Sequence, residues 1–438
     1  MQRAAYFFEQ LVAGMLPFVM LMVVGVLLTV KSGFYQFRRL PQALRVVFTG
    51  KKQQPKSGEP SPLQAACTAL SSTVGTGNIA GVAGAVAWGG PGAVFWMWVS
   101  AFAGMCVKSA EILLAIQTRE VKNGHAVGGP MYAIQNGLSK KWRPLAYAFA
   151  LSALPACFCS GAATQVGAVA AAFGTSQKGT IFVGLAFAVV CAAVLIGGAE
   201  KIGRFNQALV PLMAGLYVGL TLWVILRHIE ALPAALAAIL KGAFSPSAVT
   251  GGAVGSVITA VITGASKGVF SNEAGLGTSA MAHAAARGDD LERRALYGIF
   301  EVFVDTLLIC TLTALTILCS GVKIEYGTAA SAELVRQACT TVCGRYAAPL
   351  LSCMMALFGL SSVIGWGYYG GICTEFVFGQ TANRVFSAVY PLFCVAGAAF
   401  SMQTAWRLSA FFNGVMLCCN MTAVILLADR PLRVMKSR

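Results

Sequence analysis

Residues Ser71 to Gly81 read SSTVGTGNIAG. They lie inside a segment that is otherwise apolar enough to cross a bilayer. Three glycines, two serines, two threonines and an asparagine crowd its middle, and each weakens a helix. Glycine does so through backbone freedom, and Ser, Thr and Asn through competing hydrogen bonds. Backbone groups left unpaired at membrane depth are tolerated only where protein, water or a ligand satisfies them. The stretch therefore predicts a broken helix beside a polar cavity. N–H groups at the new half-helix N-terminus, around Gly75, Thr76 and Gly77, suit a carboxylate, and carbonyls freed just before the break suit a small cation. Two other readings compete. A dinucleotide loop requires GxGxxG after a soluble strand, whereas this is GxGxxxG within a span; a helix-packing motif, with glycines allowing close approach, stays open on the residues alone.

Working outward, the composition is that of a membrane protein: 57% hydrophobic and 11% charged residues over 438 positions. Runs of about 20 apolar residues give eleven candidate transmembrane helices: 7–30, 62–88, 91–118, 145–173, 179–197, 207–227, 249–287, 295–320, 345–378, 384–402 and 408–428. The net charge of +16 is explained by topology rather than by nucleic acid, because loops 31–61, 119–144, 198–206, 287–294 and 379–384 with the tail from 429 hold 22 of the 32 basic residues. That bias predicts a cytoplasmic C-terminus and an external N-terminus, and the expected location is the cell (inner) membrane; the first span, long and without a convincing small-residue cleavage site, is expected to be an uncleaved anchor. Lys108 and Lys267 alone among the basic residues fall within spans. The cysteines are scattered and none has zinc-ligand spacing; Cys339 and Cys343 could pair or remain free.

A second glycine-rich interruption, TGASKGVFSNEAGLG, occurs in 249–287. With the first span set aside, the two interrupted spans begin successive groups of five that run in opposite directions, the signature of an inverted-repeat transporter with a midplane site. The chain divides into an extra N-terminal helix and basic loop (1–61), a first repeat (62–227), an external connection (228–248), a second repeat (249–428) and a tail (429–438). The expected fold class is an all-α integral membrane protein with a 5+5 inverted repeat preceded by one helix.

Several long blocks carry a resemblance: SPLQAACTALSSTVGTGNIAGVAGAVAWGGPGAVFWMWVSAFAGM, GGPMYAIQNGL, GVFSNEAGLGTSAMAHAAA, EVFVDTLLICTLTALTIL and LSSVIGWGYYG. Together they resemble the alanine or glycine:cation symporter family, the sodium:alanine symporters. The resemblance implies a LeuT-type fold, sodium-coupled import of small neutral amino acids and no cofactor beyond the coupling ion. It implies that Gly75, Thr76 and Gly77 bind the substrate carboxylate with Thr73 and Asn78 as polar neighbours. It likewise implies that sodium sits among the carbonyls of Ser71 and Val74 and the hydroxyls of Ser361 and Ser362. Both serines stand where threonines are expected in many relatives. Gln165 resembles a family glutamine positioned to meet the substrate ammonium, although CSGAA before it departs from the expected glycine-asparagine pattern. Phe270, Ser271 and Asn272 fall at the second break, opposite Gly75, and Trp366 is a candidate wall or lid. Gly371 stands where relatives often carry an acid.

Ionisable residues at membrane depth face a partner or a pathway. Lys108 and Glu111, three apart, can pair on one helix. Glu301 and Asp305, four apart, share a face and need a proton or Lys267 nearby; Glu273 is a cap or part of the path. The expected partners are a small neutral amino acid, sodium and membrane lipid, with no nucleic acid. A proton-coupled symporter is the near alternative and an ion channel the more distant one. A membrane enzyme is disfavoured, since the chain has no HExxH, three histidines in all and no convincing nucleophile with a histidine partner.

Overall fold

The computed structural model describes residues 15–48 and 59–436, except positions 123, 253, 255, 287, 289 and 329. The first candidate span, 7–30, and the basic loop 31–61 lie partly outside the described residues. What is described begins with helix Leu16–Lys31. Gly33 and Phe34 then take left-handed backbone angles, and the chain turns through 88° into Tyr35–Arg45. The latter helix buries Tyr35, Gln36 and Ala43 and is rich in arginine, the pattern of a helix lying along a membrane surface.

Seven helices among the described residues are long and apolar enough to cross a bilayer: Gly92–Gln117, Lys140–Ala172, Gln177–Leu195, Gly198–Arg227, Leu291–Cys319, Ala332–Phe378 and Met402–Leu426. The bent N-terminal pair makes an eighth. The other three of the eleven expected spans are interrupted. The first starts firmly: Ser61 Oγ accepts from the Gln64 N–H at 3.2 Å while Gln64 Oε1 accepts from the Ser61 N–H at 2.8 Å, a reciprocal cap followed by proline. It runs as Pro62–Thr73, comes apart at Val74, and resumes through Gly77–Gly81 into Val82–Gly89. The second runs as Val257–Asn272 and resumes as Thr278–Ala285; Glu273, Gly275 and Gly277 between them all have positive φ. The third is split into Gln380–Val389 and Leu392–Gly397.

Gly92–Gln117 is the most enclosed span, with 89% of its apolar window buried. Val257–Asn272 and Leu291–Val302 pack along it. Small residues permit that approach: a Cβ at Gly264 would run into the Ala93 carbonyl, and one at Gly298 would lie 2.7 Å from the Ser109 nitrogen. Three wide π-helical stretches, Gly77–Gly81, Cys157–Ala163 and Phe303–Cys310, interrupt otherwise α-helical spans. Such turns are frequent at functional sites. The external connection expected at 228–248 is itself helical, as Leu232–Phe244 and Pro246–Thr250. One small departure from an all-α chain is the antiparallel pair Glu120–Lys122 and His125–Val127 in a loop between spans.

Candidate substrate and ion site

The two interrupted helices meet around a cavity of about 60 Å³. Seven of the ten substrate-site residues expected from the sequence line it: Thr73, Gly75, Gly77, Gln165, Phe270, Ser271 and Trp366. The other three do not, and their roles differ from the expectation. Thr76 is buried and engages Gln165, whose Oε1 accepts from the Thr76 hydroxyl at 2.9 Å and from its N–H at 3.3 Å. Asn78 acts as a brace. Its Oδ1 accepts from the Gly75 N–H at 2.9 Å, and its Nδ2 donates to Asp305 Oδ1 at 2.6 Å and to Ser271 Oγ at 3.0 Å. Asn272 caps the second break, accepting from the Ala274 N–H at 3.0 Å and donating to Thr306 Oγ1 at 3.0 Å. Two of the three amides expected to face a carboxylate are thus held by side chains, Gly75 by Asn78 and Thr76 by Gln165.

Helix Ala347–Phe378, which carries Ser361 and Ser362, packs against Pro62–Thr73 beside the first break. A Cβ built on Gly75 would collide with Ser362 Oγ, and one on Gly365 would lie 2.9 Å from Ser71 Oγ. Ser362 Oγ is buried and has no hydrogen-bond partner among the described residues. Ser361 Oγ donates to the Phe358 carbonyl at 2.8 Å and Ser71 Oγ to that of Thr68 at 2.8 Å, so both retain oxygen lone pairs. Val74 is buried at the break with non-helical angles. The donors are neutral oxygens, which suit a monovalent hard cation better than a divalent one.

Other polar residues of the cavity went unpredicted: Ser72, Ser160, Thr164, Trp406, Ser409 and Asn413. Ser160 bonds Ser409 and accepts from Asn413 Nδ2 at 3.1 Å. The signal available for Ser160 was the polar pair in CSGAA, which coincides with a π-helical stretch. Ser72 Oγ lies 3.2 Å from both Glu273 Oε2 and Tyr369 Oη, and Thr278 Oγ1 donates to the same carboxylate oxygen at 2.6 Å. This knot ties both interrupted helices to Ala347–Phe378.

The intramembrane charges pair differently from the sequence expectation. Lys108 reaches across to Glu301 at 3.6 Å rather than along its own helix to Glu111, and donates to the Asn272 carbonyl at 2.7 Å. His283 Nε2 lies 2.6 Å from the other Glu301 oxygen, and Arg294 donates to the His283 carbonyl. Glu111 instead receives Asn420 Nδ2. Asp305 is satisfied by neutral donors, Asn78, Ser271 at 2.7 Å and Thr306 at 2.8 Å. Lys267 is not with them; its Nζ sits 5.0 Å from the Trp406 ring centroid.

A larger cavity of about 650 Å³ opens on the face bearing Glu333 and Arg336, opposite the basic loops. It shares Gly81, Lys267 and Trp406 with the central cavity. On the other face a cavity of about 340 Å³, bordered by Glu59, Tyr368, Gly371, Glu375 and Arg384, shares no lining residue with the centre.

The family model described as sodium:alanine symporter family matches residues 1–437. The chain belongs to the sodium:alanine symporter family. It is 37% identical to "Sodium/alanine symporter AgcS" of Methanococcus maripaludis over 418 residues, covering 94% of this chain and 91% of that one. It is 34% identical to "Probable sodium/glutamine symporter GlnT" of Bacillus subtilis, covering 94% and 85% respectively. Among solved structures, MhsT in complex with L-phenylalanine superposes with a TM-score of 0.59 at 13% identity, over 88% of this chain and 97% of that one. At that identity the likeness shows the fold alone, which is LeuT-type. The protein is a transporter of a multi-span membrane family and not an enzyme.

Proposed function

We propose that the protein imports a small neutral amino acid, alanine or glycine, together with sodium by alternating access. The observation that carries this reading is the meeting of two unwound helices at one small polar cavity, with the orphaned Ser362 hydroxyl against Gly75 of the first break. Sodium held by the carbonyls of Ser71 and Val74 and the hydroxyls of Ser361 and Ser362 would fix the unwound segment. That in turn shapes the Gly75–Gly77 backbone for a carboxylate. Each ligand then improves the other's binding by the same factor, as linkage requires.

The cavity, about 60 Å³ with Gln165 in place, is in keeping with a small substrate. Gln165 Oε1, expected to meet the ammonium, instead accepts from both donors of Thr76, which supports a carboxylate docking there once the glutamine swings aside. Phe270 and Trp366 close round the side chain.

One charge moving inward through 100 mV gains about 2.3 kcal/mol, and at about 1.4 kcal/mol per decade this supports roughly 40-fold accumulation. Radiolabelled alanine uptake into proteoliposomes, with sodium and proton gradients imposed separately, tests the reading. Saturable accumulation that follows the sodium gradient is expected. Accumulation driven by the proton gradient alone would transfer the coupling role to a buried acid such as Asp305, and flux without saturation would indicate a channel.

A further inference from the structure

We propose that Lys267 is a selectivity residue of this path: its ammonium captures the carboxylate of the incoming substrate at the mouth of the central cavity, before that carboxylate reaches the helix break. The proposal deepens the amino-acid reading above and rests on it for the identity of the cargo.

Position is the first argument. Lys267 lies on Val257–Asn272, one turn before Phe270, and borders both the outer vestibule and the central cavity. A solute moving between the two passes its side chain. Charge is the second. Lys267 forms no salt bridge among the described residues; its Nζ rests 5.0 Å from the Trp406 ring, and a π face only partly replaces an anion. Both carboxylates that border these cavities are already engaged, Glu333 by Arg336 and Glu273 by Ser72 and Thr278. A cation at membrane depth normally faces a partner or a substrate path, and here the path is what it faces.

The third argument comes from the break itself. The Gly75 N–H is held by Asn78 and the Thr76 N–H by Gln165, so an arriving carboxylate finds these donors occupied. Lys267 offers an unengaged positive group outside them. The same cavity supplies the complement: Asn413 Oδ1 is buried, without a partner among the described residues, and belongs to its lining. It can accept from the ammonium end of a zwitterion whose carboxylate is on Lys267.

The test uses the full chain in proteoliposomes and compares wild type, K267Q and K267R, with propionate as a carboxylate lacking the ammonium and ethylamine as the converse. Expected are inhibition of alanine uptake by propionate in wild type and K267R, and loss of that inhibition in K267Q. The KM for alanine in K267Q should rise roughly tenfold while kcat changes far less, the mark of a lost binding interaction. A second readout does not depend on transport: propionate should raise the unfolding temperature of wild type in detergent but not that of K267Q. An unchanged KM in K267Q together with wild-type sensitivity to propionate would overturn the proposal, as would a wild type whose unfolding temperature ignores propionate. A wild type that transports no alanine, yet is stabilised by propionate through Lys267, would sink the amino-acid reading and leave the anion site standing.

Discussion

Asn78 Nδ2 donates to Asp305 Oδ1 at 2.6 Å, and the same asparagine accepts from the Gly75 N–H three residues earlier in the chain. One side chain therefore fastens the unwound segment to the span Leu291–Cys319 and replaces the helical hydrogen bond that the break removes. N78A strands the Gly75 donor and takes one donor from Asp305, at about 1–3 kcal/mol for each unsatisfied buried group. N78D sets two carboxylates against each other. Both should abolish uptake and lower the unfolding temperature, read by fluorescence-detected melting of purified protein; a variant that melts like wild type would show that Asn78 is dispensable to the break.

Ser362 Oγ has no partner to lose. S362A removes an unsatisfied buried hydroxyl and should therefore leave stability in sodium-free buffer unchanged or raise it, by up to about 1–3 kcal/mol, while removing the sodium stimulation of uptake. Sodium titration of alanine transport checks this, and an unaltered sodium response would exclude the hydroxyl from the ion site. G75A is the harsher partner: its Cβ would strike Ser362 Oγ and lie 3.4 Å from Gln165 Oε1, so transport should disappear even in saturating sodium.

Lys108, Glu301 and His283 form a buried ionic cluster linking the second interrupted helix to two neighbouring spans. Breaking a buried ion pair by removing one partner costs about 3–5 kcal/mol, whereas removing both costs far less. K108M and E301Q should each be strongly destabilised, and the double variant should recover much of the loss. Thermal unfolding of the four proteins supplies the cycle; strictly additive losses would mean that the pair is not coupled.

Gln165 occupies both donors of Thr76. Q165A opens that position without disturbing the helix, so its effect should appear in alanine affinity, with KM changed by roughly tenfold or more for one exchanged hydrogen bond to a charged group. Melting temperature should fall as well, since the two buried Thr76 donors lose their acceptor. A stability loss at constant KM would make Gln165 only a strut between helices.

The broken helices were legible because their cause is local: glycine, serine, threonine and asparagine inside an apolar run contradict the helix on the spot, and VGTGN and FSNEAG do so in spans of opposite direction. Charge partners were not legible in the same way. Spacing along a helix suggested Lys108 with Glu111, and the side chain reaches Glu301 on another span instead, because periodicity reports neighbours on one helix and is silent about which faces of different helices meet. The same blindness hid Ser160, Ser409 and Asn413, each of which looks like an isolated polar residue in its own span and becomes a cluster only when Cys157–Ala163 and Met402–Leu426 pack together. Lys267 was noticed, but assigned to the wrong neighbours for that reason.

The π-helical stretches carry a consequence for how such a pocket diverges. Each holds a surplus residue relative to an α-helix, and each α-helical residue turns the chain by about 100°. Loss of a single codon within 157–163 or 303–310 would relax the surplus, keep the span continuous, and swing Ser160 or Asp305 off the site while the residues beyond the bulge kept their lipid-facing register. Insertions and deletions, ordinarily ruinous inside a membrane span, are in these stretches a short evolutionary route to a new cargo.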